Sequence, residues 1–206
     1  MMAPLGNNFT NYHITILDFP GFGESSEPSK ALTIYDYVDI LEELLKELKI
    51  KNPIVMGHSF GGRVAIVYAS RNNIDKLVLF GAPCVRHERK SAKESILKKI
   101  KKIPGMNKIG DYMKKYIGSE DYRNASPIMR ETLVNTVNED LSNCAKKIEC
   151  STLLIWGTND QAAPIEDAKE LEKLLKDGAL IELPGYTHYA YLEALPQVVN
   201  ILNKFF

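Results

Sequence analysis

An α/β fold, a mostly parallel sheet covered by helices, is predicted by three features of this 206-residue chain. Short apolar runs of strand length alternate with segments of helical periodicity. One run ends in Gly57-His58-Ser59-Phe60-Gly61, a sharp turn into a helix-like stretch. Two later runs end in turns carrying an aspartate and a histidine, and such sheets gather their chemistry at the carboxyl ends of strands. The length suits one domain with a substantial core.

In chain order, residues 12–17 read as the first strand. Residues 34–48 read as a helix, with Val38, Leu41, Leu44, Leu45 and Leu48 on one face. Residues 53–56 form a short buried strand and residues 62–69 the helix after it. Lys76–Phe80 is a strand leaving through Gly81-Ala82-Pro83, and residues 152–157 are another, leaving through Thr158-Asn159-Asp160. A helix over 165–175, a strand over 179–183 and a last helix over 196–206 complete the pattern. Residues 86–148 interrupt it. They hold no strand pattern, while Ile96, Leu97, Ile100 and Ile103 fall at helical spacing.

The G-x-S-x-G turn has a chemical reading. Small residues tolerate a strained strand-to-helix bend, which lifts the Ser59 oxygen above the sheet. The Phe60 N–H, at the helix start, then faces an oxyanion formed beside that serine. A phosphate loop fits poorly, because Arg63-Val64 follows Gly62 where Lys and Ser/Thr are needed. The dinucleotide pattern fails because Ser59 stands where its second glycine belongs. A tight turn with an idle serine is the bland alternative.

A nucleophilic serine needs a base and a carboxylate to orient that base. Of the four histidines, His13 precedes a strand, His58 points away from the serine's reaction face, and His87 lies in a charged stretch. His188, in a loop directly after a strand, is the candidate base. Asp160 is the candidate acid, since the exit at Gly81-Ala82-Pro83 offers no carboxylate. A plain turn or N-cap role is the alternative for Asp160. The order Ser59, Asp160, His188 is that of the α/β-hydrolases and not of other serine-triad folds.

With residues 17–25 (LDFPGFGES), the Gly57–Gly62 turn, Trp156-Gly157-Thr158-Asn159-Asp160 and Gly185-Tyr186-Thr187-His188, the chain resembles the α/β-hydrolase superfamily over almost its whole length. Thr187 stands where the family usually has glycine, and Cys150 where proline commonly precedes the strand. The resemblance implies a Ser59–His188–Asp160 triad with Phe60 in the oxyanion hole. It also implies a core over 1–85 and 149–206, with a helical cap inserted over 86–148. Phe22, His58 and Tyr189 are candidate pocket residues. Relatives open with further strands, the third ending in a His-Gly loop that gives the second oxyanion donor. Nothing in residues 1–11 can be that loop, so the expectation is an N-terminally truncated sheet lacking a central strand. A second copy of the chain filling that gap would make a homodimer.

The activity implied is cleavage of a small or medium acyl ester through an acyl-enzyme, with no metal or organic cofactor. The alternative is a ligand-binding or catalytically impaired relative with an incomplete oxyanion hole. With 26 basic and 26 acidic residues, the balance of charge argues against nucleic acid as a partner. The basic run of the insertion (Arg86, Arg89, Lys90, Lys93, Lys98, Lys99, Lys101, Lys102) reads first as a solvated face and second as a contact for anionic lipid. Three cysteines without metal-like spacing read as free thiols in a reducing compartment, most simply the cytoplasm.

Overall fold

The computed structural model describes residues 2–86 and 125–206. Four strands, β1 (Ile54–His58), β2 (Lys76–Phe80), β3 (Ser151–Gly157) and β4 (Gly178–Leu183), form one parallel sheet in the order β1-β2-β3-β4. Helices α1 (Ala3–Gly6), α2 (Ile34–Glu47), α3 (Phe60–Arg71), α4 (Pro127–Val137), α5 (Ser142–Ala145), α6 (Ile165–Leu174), α7 (Ala190–Glu193) and α8 (Leu195–Phe205) surround it. The basic run beyond Arg86 and the apolar residues at 96–103 lie outside the described residues. Among the described residues no helix is long and apolar enough to cross a membrane.

The sheet is buried on both faces, which explains why its strands are continuous apolar runs rather than alternating ones. Leu77, Leu79, Leu154 and Trp156 face one core with residues of α2, α3 and α6. Val78, Phe80, Leu153 and Ile155 face the other with Tyr191, Val198 and Leu202. Helix α2 starts where Thr33 and Asp36 form a reciprocal capping box, which pulls the Asp36 carboxyl below its ordinary pKa through hydrogen bonds from Thr33. Its buried residues are Ile34, Tyr37, Val38 and Leu41, whereas Leu48, expected on the same face, is exposed.

The segment read as the first strand, residues 12–17, instead belongs to no regular element and lies outside the sheet. Its alternation suits a strand, but a strand also needs a neighbouring edge to bond. The sheet ends at β1, whose outer side pairs with no strand among the described residues. Ile14 and Ile16 are accordingly exposed.

Arg63, a charged residue just inside α3, is buried, with 3% exposed. Its guanidinium donates to the carbonyls of Pro83, Thr136 and Glu139. That fork ties α3 to the loop after β2 and to the end of α4, and burial lowers its pKa from the ordinary value. Arg63→Ala would leave three carbonyls short of a charged donor. It is expected to destabilise the fold by about 3–5 kcal/mol, seen as a melting temperature lower by about 10 °C.

Candidate functional site

All four strands run the same way, so their carboxyl ends deliver Ser59, Gly81, Asp160 and His188 to one rim. Ser59 sits between β1 and α3 with φ 49° and ψ −114°, a left-handed conformation that a non-glycine residue adopts at a cost of about 1–3 kcal/mol. The bend survives because its surroundings hold it. The Ser59 N–H donates to the Phe80 carbonyl at 2.9 Å, and the Ser59 carbonyl accepts from Arg63 N at 3.1 Å. A Cβ on Gly57 would lie 2.6 Å from the Gly61 carbonyl oxygen, so only glycine lets strand and helix close this tightly. Phe60 occupies the first position of α3, where backbone N–H groups lack an intrahelical acceptor.

Asp160 and His188 meet. His188 Nδ1 donates to Asp160 Oδ2 at 2.7 Å, and only 6% of Asp160 is exposed. The other oxygen, Oδ1, accepts from the Ala162 and Ala163 N–H groups at 2.9 and 2.8 Å. The carboxylate is therefore fixed by backbone on one side and has one lone-pair face left for the imidazole. With Nδ1 holding the proton, Nε2 of His188 is an acceptor. The Ser59 hydroxyl makes no hydrogen bond among the described residues. A contact of this kind is often loose before substrate binds.

The histidine loop has its own anchors. Thr187 N donates to Glu193 Oε2 at 2.8 Å, and the Thr187 hydroxyl bonds the other oxygen. Threonine, where relatives usually carry glycine, thus pins the loop to α7. Trp156 lies in the core, its Nε1–H on the Ala163 carbonyl at 2.7 Å.

Gly81 is a site residue that motif reading missed. Its φ is +50°, and a Cβ there would stand 2.9 Å from His188 Nδ1 and 3.1 Å from Asp160 Oδ2. The Asp–His pair occupies the space a side chain would need. Gly81→Ala is expected to lower kcat about 100-fold by displacing that pair, with a smaller effect on KM, in steady-state assays. A glycine following an apolar strand was the one signal in the sequence.

The candidate pocket residues separate. Phe22 stacks on Phe60 with ring centroids 4.6 Å apart, beside the bend. Tyr189 is exposed and lies 5.5 Å from the His188 ring. His58 is packed against His188, Tyr189 and Tyr191, and burial pushes its pKa down to about 4. The unfolded chain therefore binds more protons here than the fold does between about pH 6.5 and 4, so acidification through that window destabilises the protein.

The comparisons agree with this architecture. A family model described as the alpha/beta hydrolase fold matches residues 1–98. The chain is 25% identical to AB hydrolase superfamily protein YisY of Bacillus subtilis, covering 92% of this chain and 79% of that one. It is 23% identical to the 2-hydroxy-6-oxo-2,4-heptadienoate hydrolase of Pseudomonas putida, over 91% of this chain and 76% of the relative. Among solved structures, the esterase EaEST from Exiguobacterium antarcticum superposes with a TM-score of 0.68 at 21% identity, covering 91% of this chain and 79% of that chain. From its sheet, its strand-to-helix turn and these similarities together, the chain has the α/β-hydrolase fold.

Proposed function

We propose that this protein is a serine hydrolase of carboxylesterase type, acting on a small or medium acyl ester through an acyl-enzyme. The observation that carries the reading is the 2.7 Å bond from His188 Nδ1 to Asp160 Oδ2, at the rim where Ser59 projects. Ser59 Oγ attacks the ester carbonyl while its proton moves to His188 Nε2. The carbonyl electrons collect on an oxyanion facing the Phe60 N–H, then return as the alcohol leaves with the proton from His188. Water repeats the sequence on the acyl-enzyme, releasing the acid and freeing Ser59. Asp160 holds the imidazole in the tautomer that accepts at Nε2 and stabilises the imidazolium. Serine at the turn, rather than aspartate, separates this chemistry from branches of the superfamily that form an ester on aspartate.

The similar proteins include an esterase and a 2-hydroxy-6-oxo-2,4-heptadienoate hydrolase. The shared frame therefore serves more than one carbonyl substrate. Three unbridged cysteines support a reducing compartment such as the cytoplasm. The test is covalent labelling of the purified chain with a fluorophosphonate, followed by peptide mapping. Label on Ser59 with turnover of a p-nitrophenyl ester supports the hydrolase. An unmodified Ser59 overturns it.

A second reading is a binding protein on this scaffold with little turnover, favoured by the unbonded Ser59 hydroxyl. Ester turnover that does not change in Ser59→Ala would support it.

A further inference from the structure

Two members of the candidate triad, Ser59 and His188, belong to different elements, and the mechanism assigns nothing to hold those elements together. One side chain spans them. His58 ends β1 and directly precedes Ser59, and its ring packs on the side of the sheet that carries Tyr191. There Nε2 lies 3.0 Å from the His188 carbonyl oxygen, across 130 residues of sequence. The His58 ring sits 4.6 Å from the His188 ring, 5.0 Å from Tyr191 and 5.3 Å from Tyr189.

The chemistry of that contact settles the tautomer. A carbonyl only accepts, so the bond requires a proton on Nε2. Burial, and then the neighbouring His188, disfavour a charged ring, so Nδ1 is left bare. Neutrality matters because the reaction creates an imidazolium at His188, and a second positive ring 4.6 Å away would oppose it. The ionisable groups facing His58 are His188, Asp160, Tyr189 and Tyr191.

We infer that His58 is a positioning residue for the proposed hydrolysis, a neutral N–H strut that fixes the His188 main chain relative to the nucleophile. This deepens the serine-hydrolase reading and rests on it. The strut acts through His188 and touches no reacting atom. Removing the donor lets the base drift from Ser59, which lowers the chemical step and leaves ground-state binding of the ester intact.

The test has two arms. In the native chain, nitrogen-15 NMR is expected to show His58 protonated at Nε2 and neutral from pH 8 to pH 5. An Nδ1–H tautomer, or titration near pH 6.5, overturns the inference whether or not the chain hydrolyses esters. In the second arm, His58→Phe keeps a ring without a donor and His58→Gln keeps an N–H at similar reach. His58→Phe is expected to lose about 10- to 100-fold in kcat with KM within about twofold, and His58→Gln to recover most of it. Full activity in His58→Phe overturns the strut, as does an equal loss in both variants when both melt as the native chain does. If His58→Phe fails to fold, the NMR arm and His58→Gln decide the matter. A chain with the predicted His58 signature and no fluorophosphonate label would sink the hydrolase reading and leave the contact standing.

Discussion

Ser59→Ala is expected to cut ester turnover by about 10⁶-fold and to abolish labelling by fluorophosphonate. In the proposed mechanism the serine oxygen is the atom that forms the acyl bond, and no other side chain among the described residues stands in that strained bend to replace it. Alanine also lacks the hydroxyl and nothing else, so the 2.9 Å bond from residue 59 N–H to the Phe80 carbonyl survives. The fold should melt within a few degrees of the native chain, or higher. Residual activity above background is expected from ester binding and the Phe60 N–H. Turnover within about tenfold of native would exclude Ser59 as the nucleophile. The measurement is the initial rate on a p-nitrophenyl ester, with intact mass after labelling.

Asp160→Asn is expected to lower kcat by about 10⁴-fold while leaving KM close to native. The reason lies in which atom can face which. The Ala162 and Ala163 N–H groups need an acceptor, so the amide oxygen keeps the place of Oδ1. The amide nitrogen then faces His188 Nδ1 and can only donate. His188 must give up its Nδ1 proton and carry the proton on Nε2, where it should accept from Ser59. Geometry survives and the tautomer is wrong. The rate should not recover at any pH at which the fold persists, unless a higher pH deprotonates the serine without help. Normal turnover in Asp160→Asn would mean that His188 is oriented by something else, and the pairing at 2.7 Å would have no catalytic role.

Much of the frame was legible because its signals are local. Apolar runs bounded by glycine, proline and aspartate marked β1 to β4 within a residue or two, and α6 and α8 equally closely. Thr33 three residues before Asp36 is a local start signal, and α2 begins between them. Residues 12–17 show the limit. Their alternation is correct for a strand, but hydrogen bonding depends on a second edge that the segment's own residues do not encode. Arg63 shows another, since a charged residue just inside a helix gives no sign that three carbonyls from two other segments will enclose it.

By itself the sequence determined the parallel α/β order, the strained bend at Ser59 and the strand exits holding Asp160 and His188, because backbone periodicity and turn chemistry act within a few residues. Only the tertiary structure decided that Asp160 meets His188, that Gly81 leaves room for them, and that His58 grips the His188 carbonyl. Those contacts join residues from separate strand ends. Their geometry follows from sheet register and helix packing, which no local stretch of residues specifies.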